Sequence, residues 1–241
     1  MTLLIAKPTG GKVVLAQTYT EGDRYFSNVG LLLHGNGTNG STNIVDSSPS
    51  PKTVTAFGNA QISTAQSKFG GASIAFDGTN DYLKATNTLL ALGAGDFTIE
   101  LWLRRVNTST TEIYIDFRLN EPEGNLLLYS TANGASLRAY VNGADRITGG
   151  ALASATWQHV AVCRASGSTK LFIDGTQSGS TYSDNNSYAS TTVTVGGRFA
   201  ATTGDFLSPN GFIDDLRITK GVARYTSNFT PPTAPFADAQ F

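Results

Sequence analysis

Gly211-Phe-Ile-Asp-Asp-Leu-Arg-Ile-Thr219 alternates along its whole length. Phe212, Asp214, Leu216 and Ile218 fall on one side of a period-two pattern, and Ile213, Asp215, Arg217 and Thr219 on the other. The periodicity predicts a strand, and its apolar content places that strand deep in a sheet. A carboxylate there is paired, hydrogen-bonded or bound to a metal, because an ionised and unpaired one in an apolar layer costs on the order of several kcal/mol.

The same rhythm recurs upstream. In Asp96-Phe-Thr-Ile-Glu-Leu-Trp-Leu-Arg104, Phe97, Ile99, Leu101 and Leu103 share one side and are expected in the core, with Thr98, Glu100, Trp102 and Arg104 opposite. Shorter strand candidates cover residues 30–34, 72–76, 112–118, 125–129, 136–141, 156–164, 169–173 and 191–195. Several end at turn dipeptides: Asp77-Gly78, Asn142-Gly143, Asp174-Gly175 and Gly196-Gly197. No helical period lasts twelve residues, and only residues 89–92 read as a helical turn. The expectation is an all-β chain, a jelly-roll β-sandwich of two antiparallel sheets. Residues 1–26 lack the rhythm and read as an N-terminal arm that attaches to a partner or packs on the body. Residues 27–236 form the sandwich, and 237–241 a C-terminal tail.

Composition narrows the function classes. Only 15% of the 241 residues are charged and the net charge is −1, so no basic cluster exists to neutralise a run of phosphates; nucleic acid is not expected as a partner. Nothing approaches the roughly 20 apolar residues of a membrane-spanning helix. Met1-Thr-Leu-Leu-Ile-Ala-Lys7 has no basic segment before its short apolar run, so no signal peptide is expected and synthesis is expected in the cytoplasm. The single cysteine, Cys163, excludes an internal disulfide and reads as a buried thiol within Val160-Ala-Val-Cys163.

Six segments together resemble the laminin G-like branch of the concanavalin A-like lectin/glucanase fold. They are Lys68-Phe-Gly-Gly-Ala-Ser-Ile-Ala-Phe-Asp-Gly-Thr-Asn-Asp-Tyr-Leu83, Asp96-Phe-Thr-Ile-Glu-Leu-Trp-Leu103, Thr156-Trp-Gln-His-Val-Ala-Val162, Leu171-Phe-Ile-Asp-Gly175, Thr192-Val-Thr-Val-Gly-Gly-Arg198 and Gly211-Phe-Ile-Asp-Asp-Leu-Arg-Ile218. The C-terminal run Thr219-Lys-Gly-Val-Ala-Arg-Tyr-Thr-Ser-Asn-Phe-Thr-Pro-Pro-Thr-Ala-Pro-Phe236 resembles laminin G-like modules in bacteriophage tail and fibre proteins. The resemblance implies a virion location, other virion proteins as partners and host-surface glycan as a ligand. A symmetric homo-oligomer is the default assembly.

Candidate chemistry is sparse. Glucanases of this fold set two carboxylates on one strand. Here Glu100 has no neighbouring acid, Asp214 and Asp215 are adjacent and alternate in direction, and only Glu112 and Asp116, four apart on one strand, match that spacing. No catalytic residue is assigned and the chain is not expected to be an enzyme. Of the two histidines, His159 reads as structural. Family members hold calcium through acidic and carbonyl oxygens, which would fall to Asp46 and Asp214 with help from Asn36. For sugar, Tyr182-Ser-Asp-Asn-Asn-Ser-Tyr188 brackets polar side chains with two aromatics, which makes Tyr182, Asp184, Asn185, Asn186 and Tyr188 the expected ligand loop. Phe199, Asp205 and Phe206 offer a second such loop. The expected role is a virion adhesion module that binds host glycan or protein, with capsid or tail decoration as the alternative.

Overall fold

A computed structural model describes residues 22–106, 109–118, 125–198 and 207–240; most of the expected arm, residues 1–21, lies outside them. In chain order the strands are β1 Val29–Leu33, β2 Val54–Phe57, β3 Gln61–Ser63, β4 Ser73–Asp77, β5 Tyr82–Thr86, β6 Phe97–Arg105, β7 Glu112–Asp116, β8 Leu126–Ser130, β9 Leu137–Val141, β10 Ala144–Thr148, β11 Gln158–Ala165, β12 Ser168–Ile173, β13 Thr176–Gln177, β14 Tyr182–Ser183, β15 Thr192–Val195 and β16 Asn210–Lys220. They form two sheets. One has nine strands, in the order β13-β12-β11-β6-β16-β4-β3, with β1 also paired to β16 and β14 to β12. The other has seven, in the order β10-β9-β8-β7-β15-β5-β2. The chain is all-β, as expected, and residues 89–92 contribute only the short 3-10 turn Thr88–Leu90.

Two-residue hairpins join β9 to β10 and β12 to β13. Asn142 and Gly143 have φ of 53° and 77°, and Asp174 and Gly175 have 49° and 75°, the positive values that such turns require at both positions. Strand β10 escaped the sequence pattern because only Ile147 of its five residues turns into the core.

The sandwich closes on one apolar cluster. Phe97, Ile99, Leu101 and Leu103 meet Val160, Val162 and Leu171 from their own sheet, and Ile115, Leu126, Leu128, Val193 and Val195 from the other. Each such side chain, fully withdrawn from water, contributes about 1.5–3 kcal/mol. Among the register shifts of the described strands, those in β16 and β7 bear on the acidic residues. In β16, Asp214 pairs with Trp102 and Arg217 with Glu100, so one extra residue lies between them, where Asp215 has φ 49°. The parity switches there: Ile213 faces the core before the bulge, and Leu216 and Ile218 after it. Phe212 and Asp214 therefore do not share a side with Leu216 and Ile218, contrary to a simple period of two. In β7 the register skips Tyr114. Glu112 consequently pairs with Ser130 on the inner side while Asp116 pairs with Leu127 on the outer side, so these two carboxylates do not share a strand face.

The outer side of the nine-stranded sheet is covered by the segment that follows β16. Arg224 N–H donates to Thr98 Oγ1 (2.8 Å), Tyr225 Oη to Glu100 Oε2 (2.8 Å), Phe229 N–H to Gly175 O (2.9 Å) and Phe236 N–H to Asp215 Oδ2 (2.6 Å). The Tyr225 and Phe229 rings stack 3.5 Å apart over Ala161, Cys163 and Phe172, while Phe236 packs on Val29 and Leu32. Beneath this strap Glu100 is fully buried. Arg217 donates to its Oε1 through Nε (3.0 Å) and Nη2 (2.7 Å), and His159 Nε2 lies 3.3 Å from its Oε2. Burial pushes the Glu100 pKa up, but Arg217, His159 and Arg224 outweigh it and hold the carboxyl at about 2. Asp23 extends the network, accepting from Arg217 Nη1 (3.1 Å) and Arg224 Nη1 (3.0 Å), and its N–H donates to Ala239 O (2.8 Å). Cys163 is buried as expected, its thiol pushed up to about 12 chiefly by burial.

Two outcomes follow from this network. Glu100→Gln leaves the Arg217 guanidinium in a buried site without its full countercharge, and should lower stability by about 3–5 kcal/mol in urea unfolding, more than the paired replacement Glu100→Leu with Arg217→Met. The second concerns pH. Burial raises Asp214 to about 6, with the Asp215 charge adding to the rise, and Asp215 holds His34 above its ordinary value against the effect of burial. Both groups bind a proton more tightly folded than unfolded, so their stabilisation is present in mild acid and lost as pH rises, for Asp214 through about 6 and for His34 above the ordinary histidine range. Glu100, Asp23 and Asp184 have the opposite shift, and their contribution falls away as pH drops below about 4. The melting temperature should peak near pH 5 and lie a few degrees lower at about pH 8, measured by calorimetry in matched ionic strength.

Candidate binding face

The outer side of the seven-stranded sheet is open in part: Asp116, Leu127, Thr192 and Thr194 at its middle are buried, and Tyr129, Arg138, Tyr140 and Lys84 around them are half-buried. Cross-strand register places Asp145, Tyr140, Arg138, Tyr129, Leu127 and Asp116 together on it, from β10 through β9 and β8 to β7. Thr194, Thr192, Lys84 and Thr86 continue the face through β15 and β5, and Phe57 of β2 stacks on Tyr82 with ring centroids 4.4 Å apart. These side chains point outward because their neighbours Leu126, Leu128, Ala139 and Val141 point in; the pleat leaves no other choice.

The face is fixed by its own polar contacts. Tyr129 Oη donates to Asp145 Oδ1 (2.8 Å), and Arg138 also pairs with Asp145. Burial, then Asp145, pushes the Tyr129 hydroxyl up to about 12, so it stays a donor. Arg118 grips Asp116 through Nε (2.9 Å) and Nη2 (3.0 Å), and its guanidinium lies 5.5 Å from the Tyr140 ring centre. Between them opens a cleft of about 210 Å³, with Arg118, Tyr129, Tyr140 and Arg198 on its walls and Ile113, Leu127 and Leu207 at its base. That volume is below the roughly 300–1,000 Å³ of pockets that enclose a small molecule, and suits one ring of a longer ligand. Half-buried tyrosines, apolar floor and fixed hydrogen-bonding groups match a sugar, whose ring faces are apolar and whose rim is polar.

A second cleft, of about 410 Å³, opens beside the strap and is lined by Cys163, Ser168, Lys170, Thr181 and Tyr225 among others. The Tyr225 ring there is already stacked on Phe229 and its hydroxyl bonded to Glu100, so it offers no aromatic platform.

The residues expected from sequence divide differently. Tyr182 is half-buried, with Arg146 5.6 Å from its ring and its Oη accepting from Asn186 Nδ2 (3.1 Å); Asn186 Oδ1 accepts from Asn142 Nδ2 (3.0 Å), and Asn185 is exposed. Asp184 and Tyr188 turn inward instead. Tyr188 is 1% exposed, its Oη donates to Asp184 Oδ2 (2.7 Å), and Asp184 also accepts from Thr169 Oγ1 (2.7 Å) and lies 3.7 Å from Arg164. The buried Arg164 guanidinium requires that carboxylate, so both ends of the contact are built into the body rather than offered to a ligand. Phe199, Asp205 and Phe206 lie outside the described residues.

The acidic calcium candidates accept main-chain hydrogen bonds, with Asp214 Oδ1 left buried and without a partner among the described residues. Both Asp46 oxygens accept main-chain N–H groups, from Leu32 (3.0 Å), Ser48 (2.9 Å) and Lys52 (2.8 Å), and Lys52 Nζ lies 3.5 Å away. Asp214 Oδ2 accepts from Lys68 N (2.6 Å) and Phe69 N (3.0 Å). Asn36 is packed against Gly70. No group of three or more His, Cys, Asp or Glu placed for a metal occurs among the described residues. The acids weighed for hydrolysis are tied up as well: Glu112 accepts from Arg105 Nε (2.7 Å) and Tyr114 Oη (3.1 Å), and Asp116 is held by Arg118. His159 is fully buried, edge-on to Trp102, Tyr225 and Phe229. No helix among the described residues is long and apolar enough to cross a membrane.

What the arrangement can do is stack and hydrogen-bond. Tyr129 and Tyr140 sit at outward positions of β8 and β9, strands legible in the sequence over residues 125–129 and 136–141. No curated protein matches the sequence. Among solved structures, the binding domain of botulinum neurotoxin serotype D/C superposes with a TM-score of 0.61 at 17% identity, covering 82% of this chain and 50% of that one. Botulinum neurotoxin type C, whose cell entry is described as dependent upon interaction with two ganglioside molecules, gives 0.59 at 17% identity over 82% and 49%. Domain 4 of AbnA, a GH43 extracellular arabinanase from Geobacillus stearothermophilus, in complex with arabinotriose, gives 0.56 at 18% identity over 81% and 94%. The chain thus spans about half the length of the neurotoxin domains, and at these identities the likeness is one of fold. The model of one family, the concanavalin A-like lectin/glucanases superfamily, matches residues 77–224, well over half of the sequence, and the chain belongs to that superfamily.

Proposed function

We propose that the chain is a non-catalytic glycan-binding module whose ligand lies on the outer face of the seven-stranded sheet, with Tyr140 and Tyr129 as its stacking and hydrogen-bonding anchors. The observation that carries this is the asymmetry of the sandwich: one outer face is largely covered by the chain's own strap, and the other carries a cleft of about 210 Å³ lined by Tyr129, Tyr140, Arg118 and Arg198. One structure of the same fold is described in complex with arabinotriose, and another belongs to a toxin whose cell entry is described as dependent upon interaction with two ganglioside molecules, which supports a sugar ligand here. The buried and paired state of Glu100, Glu112 and Asp116 supports binding without hydrolysis.

The setting we infer is a virion, where the module meets host-surface glycan or decorates a capsid or tail. Support comes from the likeness of residues 219–236 to phage tail modules, and from the contact between Asp23 N–H and Ala239 O, which brings both described ends together over the nine-stranded sheet. Attachment on that side would point the open face away from the particle. A second ligand surface is the rim formed by Tyr182, Asn185 and Asn186 with Arg146.

Tyr140→Ala should weaken glycan binding by about tenfold or more, roughly 1.4 kcal/mol, with the melting temperature nearly unchanged. Tyr182→Ala should leave affinity within about twofold. Array binding followed by calorimetry on both variants separates the surfaces: loss confined to Tyr182→Ala would move the site to the rim, and failure of the unaltered chain to bind any glycan would leave decoration as the role.

A further inference from the structure

The outer side of the nine-stranded sheet holds a second cluster of polar groups, which the glycan reading does not use. His159 of β11, Trp102 of β6 and Asp214 of β16 face one another across neighbouring strands, so their side chains form one row, each about 4.5–5.5 Å from the next. All three are buried: Trp102 is 5% exposed and the other two 0%. Lys68 Nζ lies 3.8 Å from the Trp102 ring centre, Phe69 meets the same indole edge-on, and Tyr225 and Phe229 meet His159. Beneath these lids each side chain keeps a polar atom with no hydrogen-bond partner among the described residues: Trp102 Nε1, His159 Nδ1 and Asp214 Oδ1. A buried polar atom left so costs stability, and three of them in one row on adjoining strands point to a shared ligand.

We propose that this row is a built site for internal water, with a molecule at Trp102 Nε1 that bridges to Asp214 Oδ1 on one side and, directly or through a second water, to His159 Nδ1 on the other. The donor set selects the ligand. An indole N–H only donates, so it repels a cation; above about pH 6 Asp214 is ionised and its Oδ1 only accepts, so it repels an anion. His159 Nε2 faces Glu100 Oε2 at 3.3 Å, and with the ring proton on that nitrogen Nδ1 is an acceptor as well. One donor and two acceptors call for a neutral molecule that accepts once and donates twice. Those are three of the four bonds open to water, the number that buried waters typically make. The neighbouring groups are already engaged: Asp214 Oδ2 with the Lys68 and Phe69 N–H groups, Tyr225 Oη with Glu100, and the Phe236 N–H with Asp215. Water in the row fastens β11, β6 and β16 to one another at a level those hydrogen bonds do not reach. The site stands independently of the glycan reading.

The test uses the full chain. Its two tryptophans, Trp102 and Trp157, give two indole N–H signals in a nitrogen-15 spectrum, and Trp157→Phe assigns them. At neutral pH the Trp102 indole proton should show cross-relaxation with water of the sign that marks a long-lived contact. A crystal structure should place a water oxygen about 2.7–3.2 Å from Nε1, within reach of Asp214 Oδ1. Oxygen-17 relaxation dispersion should count about one or two fewer long-lived waters in Trp102→Phe, which keeps an aromatic ring and removes the donor. The first two measurements leave Trp102 in place, so they decide the matter even where Trp102→Phe does not fold. An indole N–H bonded to a protein acceptor, a dry row with no water cross-peak, or a metal ion or halide in place of the oxygen would each overturn the site. A water at Nε1 that reaches neither Asp214 nor His159 would overturn the bridge.

Discussion

The contact between Glu100 and Arg217 organises the molecule. The two residues face each other across β6 and β16, fully or nearly buried, with Arg217 Nη2 2.7 Å from Glu100 Oε1. A buried ion pair is not in itself a large source of stability, since the desolvation of both partners offsets most of their attraction. Its effect is to fix what lies above it. Tyr225 must deliver its hydroxyl to the remaining Glu100 oxygen, and Asp23 and Arg224 close the circuit from two further segments. The strap therefore has one position, and it covers most of the outer face of the sheet beneath it, leaving the cleft beside Ser168, Lys170 and Thr181.

The rest of the account follows from that commitment. A two-layer sandwich has two outer faces, and covering one leaves the other to meet solvent or a ligand. On the less covered side the polar groups pair with one another, Arg118 with Asp116 and Arg138 with Asp145, which holds them still, and the Arg118 guanidinium lies over the Tyr140 ring. On the covered side the polar groups point out from the sheet, where they hold the strap. The chain uses the same residue types on both faces, and their placement decides which serves architecture and which can serve binding.

The sequence made the fold legible because core strands announce themselves locally. Phe97, Ile99, Leu101 and Leu103 alternate with polar residues, and Asn142-Gly143 and Asp174-Gly175 are turn residues whatever surrounds them. What was not legible is long-range. Nothing in Glu100 points to a partner at Arg217 or to Tyr225, and nothing near Arg217 points to Asp23. The bulge at Asp215 has no compositional sign apart from the residue's tolerance of positive φ, yet it switches which side chains of β16 face the core. The polar run around Asp184 reads as a rim loop until the buried Arg164 is placed beside it, and then Asp184 and Tyr188 become part of the body. Tyr129 and Tyr140 were visible at outward strand positions, but their value as a site depends on the opposite face being closed, which only the path of residues 221–240 shows.

The central claim is that ligand and strap occupy opposite sides of the sandwich. Amide hydrogen exchange on the glycan-bound and free chain tests it most directly, with the bound glycan chosen as the best binder on an array. Added protection should concentrate in residues 112–118, 126–130 and 137–141, with residues 97–105, 158–173 and 221–236 unchanged. Protection that appears instead along the strap and the nine-stranded sheet, leaving those three segments untouched, would contradict the account.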